Sequence, residues 1–277
     1  MLRSINNYNE VDILYTLMSY VNVSSSQDMY YTIAETILDN LDEIPNISIN
    51  DLANMCYTSP ATISRFCKDL NCKSFASFKK ELQIALDLAN DEIHLEEEEK
   101  KKLVENPQEI VSKIYEETKK SLTLGQSSVQ IEDIDKICEL MHSSPRIHMY
   151  AYQFSKLVCN DFQLKMLKHK KFIYSFVERG DELQKLDTIE EGELVIIVSV
   201  RARKKAMDNL ISKLAERKPQ ILLVTMNQDY ENEAISHYYR LQGHESDYTQ
   251  SAMMGTIDML SLFNVIYLRY GLKYSNM

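Results

Sequence analysis

Tryptophan is absent from this sequence, and glycine, proline and cysteine are scarce, with six, five and five residues. Few glycines and prolines leave few positions for tight turns, which favours a helix-rich chain. The five cysteines include no C-x-x-C pair. The sequence therefore predicts buried, reduced thiols in a cytoplasmic protein and argues against disulfides or a zinc site.

Long apolar segments are missing as well. No run approaches the roughly 20 apolar residues that cross a bilayer, and the opening MLRSINNYNEVDILY lacks the pattern of a secretion signal. Hydrophobic residues make up 44% and charged residues 26% of the 277 positions, as in globular proteins. We expect two domains, each with its own core, and no membrane partner.

The charge is acidic overall but uneven along the chain. The formal net charge is −10. Residues 1–50 contain one Arg and seven Asp or Glu, whereas residues 51–80 contain five Lys or Arg and two Asp. A local basic face can bind a phosphate backbone even when the whole chain is acidic.

The pattern of apolar residues changes once along the chain. Residues 1–90 are helical in pattern, and residues 91–106 form a charged helical linker that contains the run EEEEKKK. Residues 107–277 begin with helices and then alternate apolar bursts with helical stretches, which indicates a parallel sheet flanked by helices. The predicted strands are 146–152, 171–177, 193–200 and 220–226, with 237–243 as a possible edge strand.

Two short amphipathic helices with a three-residue turn stand out in the first domain. Each helix repeats apolar residues at i, i+3, i+4 and i+7, which predicts a helix-turn-helix. Ser59 is a favourable N-cap for the second helix, and Pro60 suits its first position. The apolar residues are Ile49, Leu52, Ala53 and Cys56 in the first helix and Ile63, Phe66, Cys67 and Leu70 in the second.

The face of the second helix that remains outward carries short polar side chains followed by long cations. In a DNA-binding helix-turn-helix this helix enters the major groove, where its side chains contact bases and phosphates. Ser74 is expected to cap the following helix. A helical hairpin with a solvated polar face is the alternative. The candidate DNA-binding residues are Ser59, Ala61, Thr62, Ser64, Arg65, Lys68, Lys73, Ser74 and Lys79.

The stretch INDLANMCYTSPATISRFCKDLNCKSFASFKKEL resembles the DNA-binding domain of the RpiR-type bacterial transcription regulators. Their pattern LA…SPATISRF…L-G…F…FK matches Leu52, Ala53, the run 59–66, Leu70, Phe75, Phe78 and Lys79. Two positions depart from it. Tyr57 and Asn71 stand where glycines are usual, so Tyr57 either strains the turn or shifts it.

The resemblance implies a C-terminal sugar isomerase (SIS) domain, which binds a phosphosugar at the carboxyl ends of its parallel strands. Its ligand loops are altered in this chain. The expected Gly-x-Gly-x-Ser turn reads AYQFS and keeps only Ser155, and the expected Ser-x-Ser-Gly-x-Thr loop reads SVRARK and keeps only Ser199. The candidate effector-binding residues are Ser155, Ser199, Arg201 and Lys204.

Two interpretations of this second domain stay open. In the first, cations at 201–205 rebuild an anion site for a phosphorylated or anionic sugar. In the second, the pocket is vestigial and the domain only dimerises. We expect a regulator of sugar or amino-sugar metabolism that binds a palindromic operator as a homodimer or homotetramer, without cofactor, metal or catalytic residues. A sugar-phosphate isomerase is the alternative of another class.

Overall fold

The computed structural model describes residues 13–23, 28–70, 72–91, 95–151, 155–175, 186–243 and 253–275. The described residues form two compact units: those up to residue 90 belong to the first, and those from residue 91 belong to the second. Within these ranges, no helix is long and apolar enough to span a membrane.

The first unit is all-helical. Its helices are α1 (Ile13–Val23), α2 (Met29–Asp39), α3 (Ile49–Met55), α4 (Pro60–Asp69) and α5 (Phe75–Asp91). Apolar side chains from all five helices meet in one core, in which Phe66 contacts the rings of Tyr20 and Tyr30 at centroid distances of 5.5 and 5.2 Å. The predicted helical pattern of this region is therefore confirmed.

Local caps explain where the two central helices begin. Ser48 and Asp51 form a capping box at the start of α3, in which each side chain accepts a hydrogen bond from the other residue's amide. Ser59 caps α4 by accepting a hydrogen bond from the amide of Thr62 at 3.2 Å, with Pro60 at the first helical position. Both N-termini are thus satisfied by residues within the segment itself.

The second unit surrounds a five-stranded parallel sheet with helices. Its order is α6 (Glu97–Glu105), α7 (Gln108–Ser128), α8 (Ile131–Ser143), β1 (Ile147–Ala151), α9 (Ser155–Leu167), β2 (Ile173–Ser175), β3 (Leu194–Ser199), α10 (Lys204–Ala215), β4 (Gln220–Thr225), β5 (His237–Arg240) and α11 (Met253–Tyr274). The charged segment that begins at residue 97 is a helix packed on α7, since Lys102 pairs with Glu109 at 3.1 Å.

The strands lie in the order β2-β1-β3-β4-β5, and each neighbouring pair is parallel. β1 and β3 are buried along their whole length, as expected for strands covered on both faces. The fifth strand is present at the edge, beside β4. The predicted class, an all-α domain followed by an α/β domain with a helix-flanked parallel sheet, is confirmed.

A buried polar contact joins the long helices α7 and α11. The hydroxyl of Ser121 donates to the carboxylate of Asp258, and both side chains are buried. Gly125, one helical turn further, leaves room for this carboxylate: a Cβ at that position would lie 2.9 Å from Asp258 Oδ1. The small residues of α7 therefore allow a carboxyl group to be enclosed with a hydrogen-bond partner.

All five cysteines are free and buried, as predicted. Burial raises the pKa of the Cys67 thiol to about 12. Such thiols are protonated at neutral pH and unreactive. They serve as small core residues.

Candidate DNA-binding surface and effector site

The turn between α3 and α4 keeps its expected position although it lacks glycine. The amide of Tyr57 donates to Asn54 O at 3.1 Å, and the amide of Thr58 donates to Ala53 O at 2.8 Å. This pair of bonds is a Schellman motif, which requires a left-handed residue in the middle. Tyr57 takes that conformation with φ of 50°. The turn is strained, by about 1–2 kcal/mol, and is not shifted.

Helix α4 has one buried face and one exposed face. Ile63, Phe66 and Cys67 are buried in the core. Ser59, Ala61, Arg65 and Lys68 are exposed, and Thr62 and Ser64 are half-buried. The exposed residues near the N-terminus are those that a recognition helix presents to base edges.

The remaining candidate residues flank α4. Lys73 and Ser74 are exposed, and Ser74 accepts a hydrogen bond from the amide of Ser77 at 3.1 Å, so it caps α5 as expected. Lys79 is half-buried: its ammonium donates to Ile47 O at 2.8 Å and lies 5.5 Å from the ring centroid of Phe75. Lys79 therefore ties α5 to the segment before α3, a role that the sequence pattern did not reveal. Asn71 lies outside the described residues.

The carboxyl end of α4 is fixed by tyrosines of the preceding helices. The hydroxyl of Tyr20 donates to the carboxylate of Asp69. Burial raises the pKa of Tyr30, and the negative charge of Asp69 adds to this increase. The hydrogen bond from Tyr20 and the ring contact between Tyr30 and Phe66 hold the carboxyl half of α4 against the preceding helices.

The candidate effector residues of the second unit lie at the carboxyl edge of the sheet. Ser199 is the last residue of β3 and is paired in register with Thr225, which is paired in turn with Arg240. Ser155 is the first residue of α9, after β1. Both serines are buried, at 4% exposure for Ser155 and 7% for Ser199. This edge is where open parallel sheets bind ligands.

The loop after β3 is held by its own hydrogen bonds. Ser199 Oγ accepts a hydrogen bond from the amide of Ala202 at 3.1 Å. Ala202 is fully buried and has φ of 40°, the left-handed conformation that glycine adopts without strain. The amide of Met226 donates to Val200 O at 3.0 Å, and the side chain of Asn227 donates to Arg201 O at 2.8 Å, so the loop is tied to the end of β4.

The cationic residues at this edge include Lys156, Arg201, Arg203 and Lys204, and their surroundings differ. Arg201 is half-buried, whereas Lys204 is exposed and pairs with Asp208 at 3.2 Å. Lys156, directly after Ser155, is only 2% exposed. Sequence reasoning missed Lys156, because the helical pattern of α9 does not distinguish a buried lysine from a solvated one. Residues 152–154 of the altered Gly-x-Gly-x-Ser turn and the side chain of Lys205 lie outside the described part.

Comparison with known families identifies both units. Residues 23–91 match the helix-turn-helix domain of the rpiR family, and residues 140–269 match the SIS domain. A helix-turn-helix domain of the rpiR family together with an SIS domain supports an RpiR-type transcriptional regulator. The helix-turn-helix of this RpiR-type regulator is thus α3 and α4, and its SIS domain contains the sheet.

Relatives and solved structures agree with this assignment. An HTH-type transcriptional regulator of Caldanaerobacter subterraneus is 23% identical over 245 residues, which cover 88% of this chain and 86% of that protein. The HTH-type transcriptional regulator RpiR of Escherichia coli is 20% identical over 178 residues, covering 64% of this chain and 59% of that protein. The NanR protein of Vibrio vulnificus, solved in complex with ManNAc-6P, has a TM-score of 0.51 and 18% identity, with 95% of this chain and 92% of NanR covered. This last likeness shows a shared fold.

Proposed function

We propose that this RpiR-type regulator binds a palindromic DNA operator in the cytoplasm through the exposed face of α4. The observation that carries this proposal is the division of α4, whose apolar side chains are buried while Ala61, Arg65 and Lys68 face outward. We expect Thr62 and Ser64 to contact bases or phosphates, and Ser59, Lys73 and Ser74 to contact the DNA backbone. Lys79 joins them only if its ammonium leaves Ile47 O.

One recognition helix contacts only a few base pairs, so specific binding needs two copies. We expect a homodimer or homotetramer on two half-sites whose centres lie about 10 base pairs, or a multiple of that, apart. Selection from a random pool of duplexes with the full chain, followed by footprinting, tests this. A symmetric pair of half-sites supports the proposal, and the absence of any enriched sequence would contradict it.

For the SIS domain we propose an anionic effector, a phosphorylated sugar or amino sugar, at the carboxyl edge of the sheet. The buried Lys156, half-buried Arg201 and exposed Lys204 supply positive charge there, near Ser155 and Ser199. The NanR protein, solved in complex with ManNAc-6P, shares the fold and suggests the class of ligand to test first. Regulation of sugar or amino-sugar metabolism follows from such an effector.

A thermal-shift screen against phosphosugars, amino sugars and sugar acids tests the effector. A ligand at about 100 times its dissociation constant adds about 2.7 kcal/mol to the free energy of unfolding, which raises Tm by several degrees. The rise should disappear in Lys156→Met and Arg201→Ala. It should persist in Lys218→Ala, which removes an exposed lysine from the turn that follows α10.

A vestigial pocket is the second candidate, and one observation favours it. Ser199 Oγ already accepts the amide of Ala202, an amide that a bound phosphate would need. If no compound in the screen raises Tm, this closed loop is supported and the domain acts in dimerisation alone. Turnover of phosphosugars by a chain that binds no DNA would instead favour the isomerase alternative and overturn the regulator proposal.

A further inference from the structure

The backbone conformation of Tyr57 destabilises the folded chain, and its side chain contributes little to the core. Its φ of 50° is strained for a bulky residue. The side chain is 94% exposed, so the ring gains almost nothing by burial. Strain of this kind persists only where the surrounding structure fixes it, and it is frequent at binding sites. Here the Schellman hydrogen bonds and the core beneath α3 and α4 fix the turn.

The backbone of Tyr57 lies close to the N-terminal end of the proposed DNA surface. Tyr57 precedes Ser59, the N-cap of α4, by two residues, so their Cα atoms are at most about 7.6 Å apart. The N-terminal end of α4 is the end that we place in the major groove. The phosphates of the two strands border that groove, which is about 12 Å wide. The exposed side chain of Tyr57 extends into solvent from the turn that precedes α4.

The chemistry of the side chain suits a phosphate. A phenolic hydroxyl is a hydrogen-bond donor on a stiff side chain with few rotamers, and tyrosine is among the side chains that bind DNA phosphates. Glycine, the residue usual at this position of the family, offers no such donor. We propose that Tyr57 donates a hydrogen bond to a phosphate that borders the groove entered by α4. This inference rests on the proposed function of α4.

A phosphate contact has a signature that separates it from base recognition and from ion pairing. It weakens binding to all sequences alike when it is removed. Because the donor is uncharged, its loss does not change the number of counterions released, so the slope of log K against log salt concentration stays the same. Removal of an Arg or Lys contact would reduce that slope by about one.

The test compares Tyr57→Phe, Tyr57→Gly and the full wild-type chain. Fluorescence anisotropy is measured on a duplex selected by the wild-type chain from a random pool and on a scrambled duplex of the same composition. Tyr57→Phe keeps the ring and the strain but lacks the hydroxyl, whereas Tyr57→Gly removes all three. Tyr115→Phe, an exposed tyrosine of α7, is the matched control.

We expect both Tyr57 variants to bind both duplexes about three- to tenfold more weakly, with unchanged salt slopes. Tyr57→Gly should at the same time raise Tm by a few degrees, so weaker binding cannot be ascribed to unfolding. Wild-type affinity of Tyr57→Phe would overturn the inference, and so would a loss confined to the selected duplex, which indicates a base contact. If the wild-type chain binds neither duplex, the proposed function itself fails.

Discussion

Tyr57 in the first unit and Ala202 in the second hold the same unusual backbone conformation in opposite surroundings. Both have positive φ, 50° and 40°. The resemblance to RpiR-type regulators implies glycine at both positions. Tyr57 is 94% exposed, whereas Ala202 is fully buried. The comparison shows that hydrogen bonds to neighbouring groups hold each turn in a glycine-like shape without glycine.

The two turns differ in what their hydrogen bonds leave available. At Tyr57 the motif is closed by main-chain bonds to Ala53 and Asn54, and the side chain remains free to contact a partner. At Ala202 the amide is bound by Ser199 Oγ, within the loop expected to bind an effector. In the first unit, the residue that stands in place of glycine adds an exposed side chain that can contact a partner. In the second unit, the amide of the corresponding residue is already hydrogen-bonded within its own loop.

The largest expected effect comes from the core that supports the first turn. Phe66 belongs to α4 and is fully buried in the core of the first unit, so Phe66→Ala should lower the free energy of unfolding by about 3–5 kcal/mol. Chemical denaturation followed by circular dichroism measures this change. Phe172→Ala, at a position 52% exposed, is the control and should cost much less. Equal losses of unfolding free energy in the two variants would show that Phe66 does not belong to the core.

The second turn depends on one hydroxyl. Ser199→Ala should lower the free energy of unfolding by about 1–3 kcal/mol, because it leaves the buried amide of Ala202 without its acceptor. Ser212→Ala, on an exposed position of α10, should change stability by less than about 0.5 kcal/mol. If both variants melt alike, Ser199 does not hold the loop.

Glycine substitutions compare the two turns directly. Tyr57→Gly should raise the free energy of unfolding by about 1 kcal/mol, because strain is relieved and no burial is lost. Ala202→Gly relieves similar strain but loses a buried methyl group, which is worth about 0.8 kcal/mol, so the net change should be near zero. Paired thermal melts measure both values. Equal stabilisation of the two variants would contradict this account.

Acid should destabilise the second unit through a buried histidine, a residue type that residues 1–90 lack. His148 is buried with Glu193, Nε2 to Oε2 at 2.7 Å, and residues 1–90 contain no histidine. Burial lowers the pKa of His148 below its usual value, in spite of the hydrogen bond with Glu193, which raises it. Below about pH 6.5, His148 is protonated in the unfolded chain but stays neutral in the folded chain. The free energy of unfolding therefore decreases as pH falls.

Denaturation curves between about pH 7 and pH 5 test this point. The His148→Gln variant should show a smaller loss on acidification than the wild type. His237→Gln, on an exposed residue, should behave like the wild type. If the free energy of unfolding depends on pH in the same way in all three proteins, His148 does not cause the loss of stability in acid.

Helix bounds and strands that depend on neighbouring residues could be predicted from the sequence. The bounds of α3 and α4 follow from Ser48, Ser59 and Pro60 together with a four-residue apolar period, and the strands follow from unbroken apolar runs. Parallel pairing followed from the helices between those runs. Each signal lies within a few residues of its effect.

Contacts between distant segments could not be predicted in this way. Lys79 binds the carbonyl of Ile47, 32 residues away, and Ser121 binds Asp258, 137 residues away. The local sequence around Lys79 predicts a solvated lysine. The local sequence around Lys156 predicts an ordinary helical turn. The candidate DNA-binding residues come from one continuous segment, whereas the candidate effector residues come from several strands and loops, and both sets stay predictions.

Anisotropy of the selected duplex with Arg65→Ala over a range of salt concentrations tests the central claim most directly. Arg65 is exposed on the outward face of α4, so its removal should leave Tm unchanged. The account predicts a loss of affinity of about 10- to 100-fold and a salt slope smaller by as much as one. Unchanged affinity with an unchanged slope would show that this face of α4 does not contact DNA.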